Sequence, residues 1–211
     1  MQQVTALLGI GTAIAAGAAS PGPSFVMVAR TAVATSRFDG VCAALGMGIG
    51  GLVFATAALL GLHGLLLTVP SLYWVLKVCG GLYLAYLGIR IWIGAKKPLI
   101  SNTIALNSSD TTAIQSFVLG LTTQISNPKT AVVYASVFAT FLPDEPSLIF
   151  SFSVAGLVFL IEMMWYTLVA LALSSNVPRK VYLHYKAWID RVTGGIMIAL
   201  GFRLVASARH S

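Results

Sequence analysis

Two proline-containing breaks and two charged residues stand inside long apolar stretches of this 211-residue sequence. The breaks are Ser20-Pro21-Gly22-Pro23 and Ser126-Asn127-Pro128-Lys129, and the charges are Lys129 and Glu162. Proline interrupts a helix because it lacks an N–H and clashes with the preceding turn, and it suits the first position of the next helix. That new N-terminus carries about half a positive charge and offers N–H donors. Two such ends meeting inside a membrane would favour an anionic group, such as a carboxylate.

Lys129 and Glu162 supply charges for such a site. A cation in the first turn of a helix opposes the helix dipole, and an ionisable group inside a membrane usually pairs with another group or lines an aqueous path. We expect Lys129 to pair with Glu162 or with a substrate carboxylate. Desolvation favours the neutral form of a lone carboxylate, so Glu162 is our candidate to carry a proton or hold a substrate ammonium. The alternatives are a structural ion pair of Glu162 with Lys77 or Lys129, and snorkelling of either lysine to the interface.

The composition places these residues in a membrane protein. Hydrophobic residues make up 57% of the chain and charged residues 9%, and the mean hydropathy is +0.88. Soluble domains carry roughly 25% charged residues, so the composition excludes a cytosolic enzyme, a disordered regulator and a nucleic-acid binder. Cys42 and Cys79 form no disulfide framework, and the three histidines form no ligand cluster with them. We therefore expect no enzyme, no metal site and no other cofactor.

Six apolar stretches are long enough to cross a bilayer, which takes about 20 residues. The first stretch lacks the basic residues that begin a secretory signal, so we predict that it is a retained span. The predicted spans cover residues 4–31, 40–62, 71–93, 113–142, 148–173 and 192–208.

Basic residues alternate between the connections of these spans. The first, third and fifth connections are basic, the second has no Lys or Arg, and the fourth is acidic. The positive-inside rule places the basic connections in the cytoplasm and both termini in the periplasm, although Arg203 and Arg209 do not fit. The polar stretch 101–112 and the basic stretch 176–191 are predicted to be linkers.

The sequence also contains an internal repeat. Residues 78–85 resemble residues 192–199, and the two proline breaks occupy matching places in the two halves. Residues 1–100 and 113–211 then hold three spans each, joined by the cytoplasmic linker 101–112, and an odd number of spans inverts the second half. Inverted repeats are typical of secondary transporters. We predict an all-α membrane protein of six transmembrane helices in two inverted three-helix repeats, with proline-broken first and fourth helices.

These motifs resemble those of one transporter family. The break at residues 20–23, the glycine-rich second span, the segment 77–88 (KVCGGLYLAYLG) and Asn127-Pro128-Lys129 are similar to the LysE/RhtB family of amino-acid exporters over nearly the whole chain. The resemblance implies a multi-pass exporter of amino acids or close derivatives in the bacterial inner membrane, driven by the proton gradient, and it allows a homodimer. It implies these substrate-binding residues: Pro21, Gly22, Pro23, Lys77, Tyr83, Asn127, Pro128 and Lys129.

Three further residues are predicted from their positions. Ser24 follows the first break and Tyr166 could line a cavity, so both join the predicted binding set, and Glu162 is the predicted proton-coupling residue on physical grounds alone. A membrane thiol–disulfide oxidoreductase of the cytochrome c biogenesis type would need a cysteine beside each break, where none stands. A metal-ion exporter would need more histidines and acids. The expected partners are a small amino-acid substrate, protons and membrane lipid, without nucleic acid.

Overall fold

The computed structural model describes residues 2–20, 22–68, 70–96, 112–143 and 146–207. Within these ranges, the side chains of residues 2, 62–68, 70–74, 76–77, 176–179, 182–183, 204 and 207 are outside the description. The described part is helical throughout. Its helices are α1 (Gln2–Ala19), α2 (Pro23–Ala34), α3 (Arg37–Thr68), α4 (Pro70–Gly94), α5 (Ala113–Ser126), α6 (Pro128–Phe141), α7 (Leu148–Leu173) and α8 (Asn176–Ser207).

Each proline-containing stretch forms two short helices in place of one long one. The axes of α1 and α2 differ by 57°. Gly22 is the N-cap of α2, with Pro23 as its first residue. Asn127 is the N-cap of α6, with Pro128 first, and its side-chain oxygen accepts a hydrogen bond of 3.0 Å from the Lys129 backbone N–H. Both second helices therefore begin at a proline, as expected from its fixed φ and missing donor.

Two helices of the described part are long and apolar enough to cross a membrane. They are α3, over Arg37–Gly61, and α7, over Leu148–Leu173, and the bent pair α1–α2 makes a third if it counts as one span. α3 and α7 pack against each other. The limits of α7 coincide with those of the predicted fifth span.

The structure corrects several predicted boundaries. α8 begins at Asn176, so the predicted linker 176–191 is helical and the predicted sixth span is only the second half of a longer helix. α3 likewise continues to Thr68, through most of the predicted second connection. The predicted boundaries were placed where the sequence becomes less apolar, but a helix does not have to end where its apolar segment ends. The predicted linker 101–112 lies outside the described residues except for Thr112, which caps α5.

Glycines allow the closest helix contacts. α4 and α8 meet at Gly81 and Gly201, and again at Gly88 and Gly194. A side-chain carbon on any of these four residues would lie 2.5–2.7 Å from the carbonyl oxygen of its opposite number. The contact is reciprocal, so the two backbones touch directly, as small residues permit between membrane helices.

The core consists of two apolar clusters joined by α7. One cluster includes Phe138 and Val158, and the other includes Phe25 and Tyr166. Glu162 lies on α7 one turn from Val158 and one turn from Tyr166, so its side chain falls between the two clusters. The fold thereby places a buried carboxylate at the level of the helix breaks.

Candidate functional site

A cavity lies where the two broken helix pairs meet. Its empty space, including the open mouth, is about 320 Å³. Ile14, Phe25 and Val133 supply apolar wall. The polar side chains that line it are Ser20, Ser24, Asn127, Lys129, Thr130, Tyr134, Glu162 and Tyr166.

The ammonium of Lys129 binds the C-terminal end of α1. Its Nζ donates hydrogen bonds to the carbonyl oxygens of Ser20, at 2.7 Å, and Gly17, at 3.1 Å. The last carbonyls of a helix lack intrahelical partners and form the negative end of its dipole, so a cation is well placed there. Gly22 leaves room for this arrangement, because a side-chain carbon there would lie 3.3 Å from Lys129 Nζ. A residue at the start of α6 therefore completes the end of α1.

Lys129 makes no ion pair within the described residues. Its predicted partners were Glu162 or a substrate carboxylate, and its hydrogen bonds instead go to the two backbone carbonyls. An ammonium has three donors, and these two bonds use two of them. Lys129 still borders the cavity, where a carboxylate could compete with the neutral carbonyls for its charge.

Glu162 faces the same cavity from α7 and is only 3% exposed. Its Oε1 accepts a hydrogen bond of 2.9 Å from the Tyr134 hydroxyl, whereas Oε2 has no partner within 3.5 Å among the described residues, although the Gln124 side-chain amide lies nearby. A buried carboxylate oxygen without a donor is costly, so it points to a ligand or a proton. Gly51 of α3 permits the pairing, since a side-chain carbon there would lie 2.9 Å from the Tyr134 hydroxyl and 3.0 Å from Glu162 Cγ.

Buried hydrogen bonds connect the two breaks. The Asn127 side-chain amide donates to Ser24 Oγ at 2.9 Å, and Ser24 Oγ donates to Gln124 Oε1 at 2.8 Å. Ser24 is the second residue of α2, and Gln124 and Asn127 stand at the end of α5. Two further donors of this region, Ser20 Oγ and Gln124 Nε2, are buried without partners in the described part of the chain. The region therefore holds unpaired hydrogen-bonding groups of both kinds.

The structure brings together only some of the predicted site residues. Pro23 and Pro128 are exposed and do not line the cavity, although each begins a helix beside it. Tyr83 does not line it either, and its ring lies 6.2 Å from that of Tyr86 on α4. Pro21 and the side chain of Lys77 lie outside the described residues. The predicted residues at the cavity are Gly22, Ser24, Asn127, Lys129, Tyr166 and Glu162.

Sequence reasoning missed Gln124 and Tyr134. Gln124 is an uncharged residue in an apolar span. Because a side-chain amide inside a membrane needs a hydrogen-bond partner, its position could have marked it as a site residue. Asn127, Thr130 and Tyr134 follow one another at spacings of three and four residues, which places the three on one face of a helix. The proline motif marks Asn127, at the start of that face, but it gives no sign of Tyr134 two turns further on.

The family model described as LysE type translocator matches residues 15–208. The chain belongs to the LysE family. The matched region includes both breaks and every polar residue of the cavity. This confirms the family resemblance that the motifs suggested.

Relatives of this LysE-family protein include named efflux proteins. The threonine efflux protein of Salmonella typhimurium is 33% identical over 188 residues, which cover 89% of this chain and 91% of that protein. The threonine efflux protein of Escherichia coli K12 is 32% identical with the same coverage. A leucine efflux protein of an Enterobacter species is 32% identical over 123 residues, 58% of this chain and 56% of that protein. No solved structure matches the chain.

The site of the LysE-family protein gives no support to the two alternative functions. Cys42 and Cys79 lie on α3 and α4, and neither lines the cavity. Within the described ranges, no group of three or more His, Cys, Asp or Glu side chains is close enough to hold a metal ion. The chemistry at the breaks is that of one ammonium, one carboxylate and neutral hydrogen-bonding groups.

Proposed function

We propose that this protein exports small amino acids, or close derivatives, across the bacterial inner membrane in exchange for protons. One observation carries the proposal: the ammonium of Lys129 and the carboxylate of Glu162 border the same small cavity. An amino-acid zwitterion carries the complementary pair of charges, an ammonium and a carboxylate, on one carbon atom. The threonine efflux proteins that cover most of this chain support an amino-acid substrate.

The substrate carboxylate binds at the helix breaks. Lys129 turns from the α1 carbonyls towards it, because a charged acceptor makes a stronger hydrogen bond than a neutral carbonyl. The N-terminal ends of α2 and α6 begin beside the cavity, and both favour negative charge. This end of the site therefore recognises the group that every amino acid shares.

The substrate ammonium binds at Glu162, whose Oε2 is available as an acceptor. An ammonium and a proton compete for this carboxylate, since either one removes the cost of burying its charge. Release of the substrate to the periplasm lets a proton take its place, and loss of that proton to the cytoplasm readies the site again. Competition at one carboxylate is sufficient to couple export to proton entry.

Six spans in two inverted repeats would carry this site. The pairs α1–α2 and α5–α6 are the broken first spans, followed by α3 and α4 in one half and by α7 and α8 in the other. The contacts of α3 with α7 and of α4 with α8 pair corresponding helices of the two halves. Rocking of the halves about the cavity would alternate its access, with both termini in the periplasm.

The direct test is export from liposomes that contain the purified protein. Vesicles are loaded with a panel of radiolabelled amino acids, and efflux is followed with and without an imposed proton gradient. We expect efflux of small neutral amino acids to accelerate with the gradient, and an N-acetylated substrate, which lacks the ammonium, to be retained. Gradient-independent leakage of every compound at the rate of empty liposomes would contradict the proposal.

A further inference from the structure

A second charged cluster lies on α8, away from the cavity lining. Lys186 Nζ is 2.6 Å from Asp190 Oδ2, one turn along the helix, and both side chains are buried. Lys186 Nζ also donates to the carbonyl oxygen of Ala95, just beyond the end of α4, at 3.3 Å. The sequence placed Lys186 in a basic cytoplasmic linker, so this buried pair was not foreseen.

Packing alone does not account for the pair. Desolvation of two charges costs so much that apolar residues of similar volume often stabilise a fold equally well. Asp190 is also incompletely satisfied, because its Oδ1 is buried and has no hydrogen-bond partner among the described residues. A carboxylate with one oxygen held and the other unpaired can accept a second cation.

One such cation is Lys129, towards which the buried face of α8 leads. Asp190, Thr193 and Met197 are all buried, and spacings of three and four place them on one face of α8. Met197 lies beside Gly17, where a side-chain carbon would be 3.5 Å from its Cε, and the Gly17 carbonyl holds Lys129. The face of α8 that carries Asp190 therefore continues towards the end of α1 to which Lys129 is bound.

Lys129 thus borders the cavity together with Glu162 of α7, and it binds the end of α1, a helix that packs against α8, which carries Asp190. Together with Lys186 these groups form a buried set of two positive and two negative charges. Only Asp190 and Lys186 are in direct contact.

We propose that Asp190 is a further transport residue, which acts through Lys129 as its alternative counter-ion. When α1 moves relative to α6, Lys129 loses the carbonyls of Gly17 and Ser20, and a buried ammonium without a partner is costly. Asp190 then receives it, while Lys186 keeps the Ala95 carbonyl. Asp190 is a positioning residue in this scheme and does not touch the substrate. Its role in transport rests on the proposed function, but its coupling to Lys129 does not.

The first experiment measures amino-acid efflux from liposomes containing Asp190→Asn. The amide keeps the size of the side chain and removes its charge, and we expect efflux to fall at least tenfold. Two double variants separate this role from a structural one. Lys186→Met with Asp190→Leu replaces the pair by apolar side chains, and Lys186→Asp with Asp190→Lys restores the pair with its charges exchanged. We expect neither to recover efflux, because neither presents an anion to Lys129.

Recovery to within twofold of the wild-type rate by either double variant would overturn the proposal, since the pair would then serve packing alone. The apolar variant also covers the case in which Asp190→Asn fails to fold, because it leaves no unpaired charge at this position. Asp39→Asn is the matched control. Asp39 lies in the first turn of α3 and accepts a hydrogen bond from Ser36, and its loss should leave efflux unchanged.

The second experiment needs no substrate. Unfolding temperatures in detergent are compared for Lys129→Met, Asp190→Asn and the combination. If Asp190 acts on Lys129, the combined shift differs from the sum of the two single shifts, and strict additivity would refute the coupling. A wild-type protein that exports nothing would reject the proposed function, whereas this cycle would still decide whether Asp190 and Lys129 form one unit.

Discussion

The two helix breaks are built differently, although they occupy matching places in the chain. At the first, Gly22 caps α2 without a side-chain hydrogen bond. At the second, Asn127 caps α6 through its own side chain, holds Ser24 across the interface, and is followed by Lys129, which binds the end of α1. The second break therefore supplies the polar groups that organise both. The comparison suggests that one half of the protein holds the site together while the other leaves space for it.

The caps also show how the halves correspond. Gly22 matches Asn127 and Pro23 matches Pro128, so Ser24 matches Lys129. This differs by one residue from a direct alignment of the two proline motifs. The small hydroxyl and the long ammonium then stand at equivalent places, and only the ammonium is long enough to reach the opposite helix end. The difference in side-chain length explains why the second break reaches the helix end at the first break, whereas Ser24 reaches only the nearby side chains of Gln124 and Asn127.

Removing the ammonium should give the largest effect. In Lys129→Met the side chain keeps its length, but neither the α1 carbonyls nor a substrate carboxylate has a charged partner. Loss of one member of a buried charge pair costs about 2–5 kcal/mol, so we expect efflux from liposomes to fall at least thirtyfold. Lys96→Met, at an exposed lysine, is the control. Efflux at the wild-type rate would show that the second break does not organise the first.

Glu162→Gln should separate the structural role of the two helix breaks from the coupling of export to protons. The change leaves both caps and the Lys129 contacts in place, and the amide oxygen can still accept the Tyr134 hydrogen bond. We expect net export to lose its dependence on the proton gradient, because an amide does not bind a proton in this pH range. The measurement is the initial efflux rate over a series of external pH values. An unaltered pH profile would remove Glu162 from proton coupling.

Gly51→Ala tests whether the close approach of α3, which belongs to neither break, is needed to position Glu162. The added carbon meets the Tyr134 hydroxyl and Glu162 Cγ, and overpacking of this kind typically costs about 1–3 kcal/mol. We expect a lower unfolding temperature and an efflux rate several-fold below wild type. Gly61→Ala on the same helix is a matched control, because a side-chain carbon there would meet no atom of the described residues within 4 Å. Equal effects of the two substitutions would show that the approach of α3 to Glu162 is not specific.

The smallest predicted effects concern the caps themselves. Asn127→Ala removes a side-chain cap and the bond to Ser24, and loss of such a cap costs about 0.5–2 kcal/mol. Gly22→Ala removes no hydrogen bond, the φ of −157° at Gly22 suits any residue, and the added carbon meets only the flexible Lys129 side chain, at 3.3 Å. Thermal unfolding should therefore register Asn127→Ala more strongly than Gly22→Ala. The reverse order would contradict the assignment of the stronger cap to the second break.

The local features of this site could be predicted from the sequence. Prolines, a lysine and a glutamate within apolar stretches identify the breaks and the charged groups. Each is costly inside a membrane, so its presence indicates a structural or functional role. The limits of α7 follow from hydropathy in the same way. These predictions depend only on residue type and on neighbours along the chain, so they need no knowledge of how the helices pack.

The partners could not be predicted. Lys129 binds backbone carbonyls, which every residue possesses, so no pattern of residue types marks them. Tyr134 and Glu162 are on different helices, and their hydrogen bond depends on how α6 packs beside α7. The ion pair of Lys186 and Asp190 lies in a stretch that is too polar for an apolar span, although it is helical and partly buried. Tertiary packing decides each of these contacts.

The glycine contacts between α4 and α8 have a consequence for motion. Side chains that interdigitate must disengage before one helix can turn against another, and that raises the barrier to turning. Gly81, Gly88, Gly194 and Gly201 contribute no side chains of their own here, although Val205 packs against Gly81 and Ile198 against Gly88. In the rocking that we propose, these direct backbone contacts would serve as the pivot, around which the angle between the helices changes while their separation stays fixed. A bulkier residue at any of the four would therefore force α4 and α8 apart. It would impair the proposed change of angle between these helices without contacting the cavity.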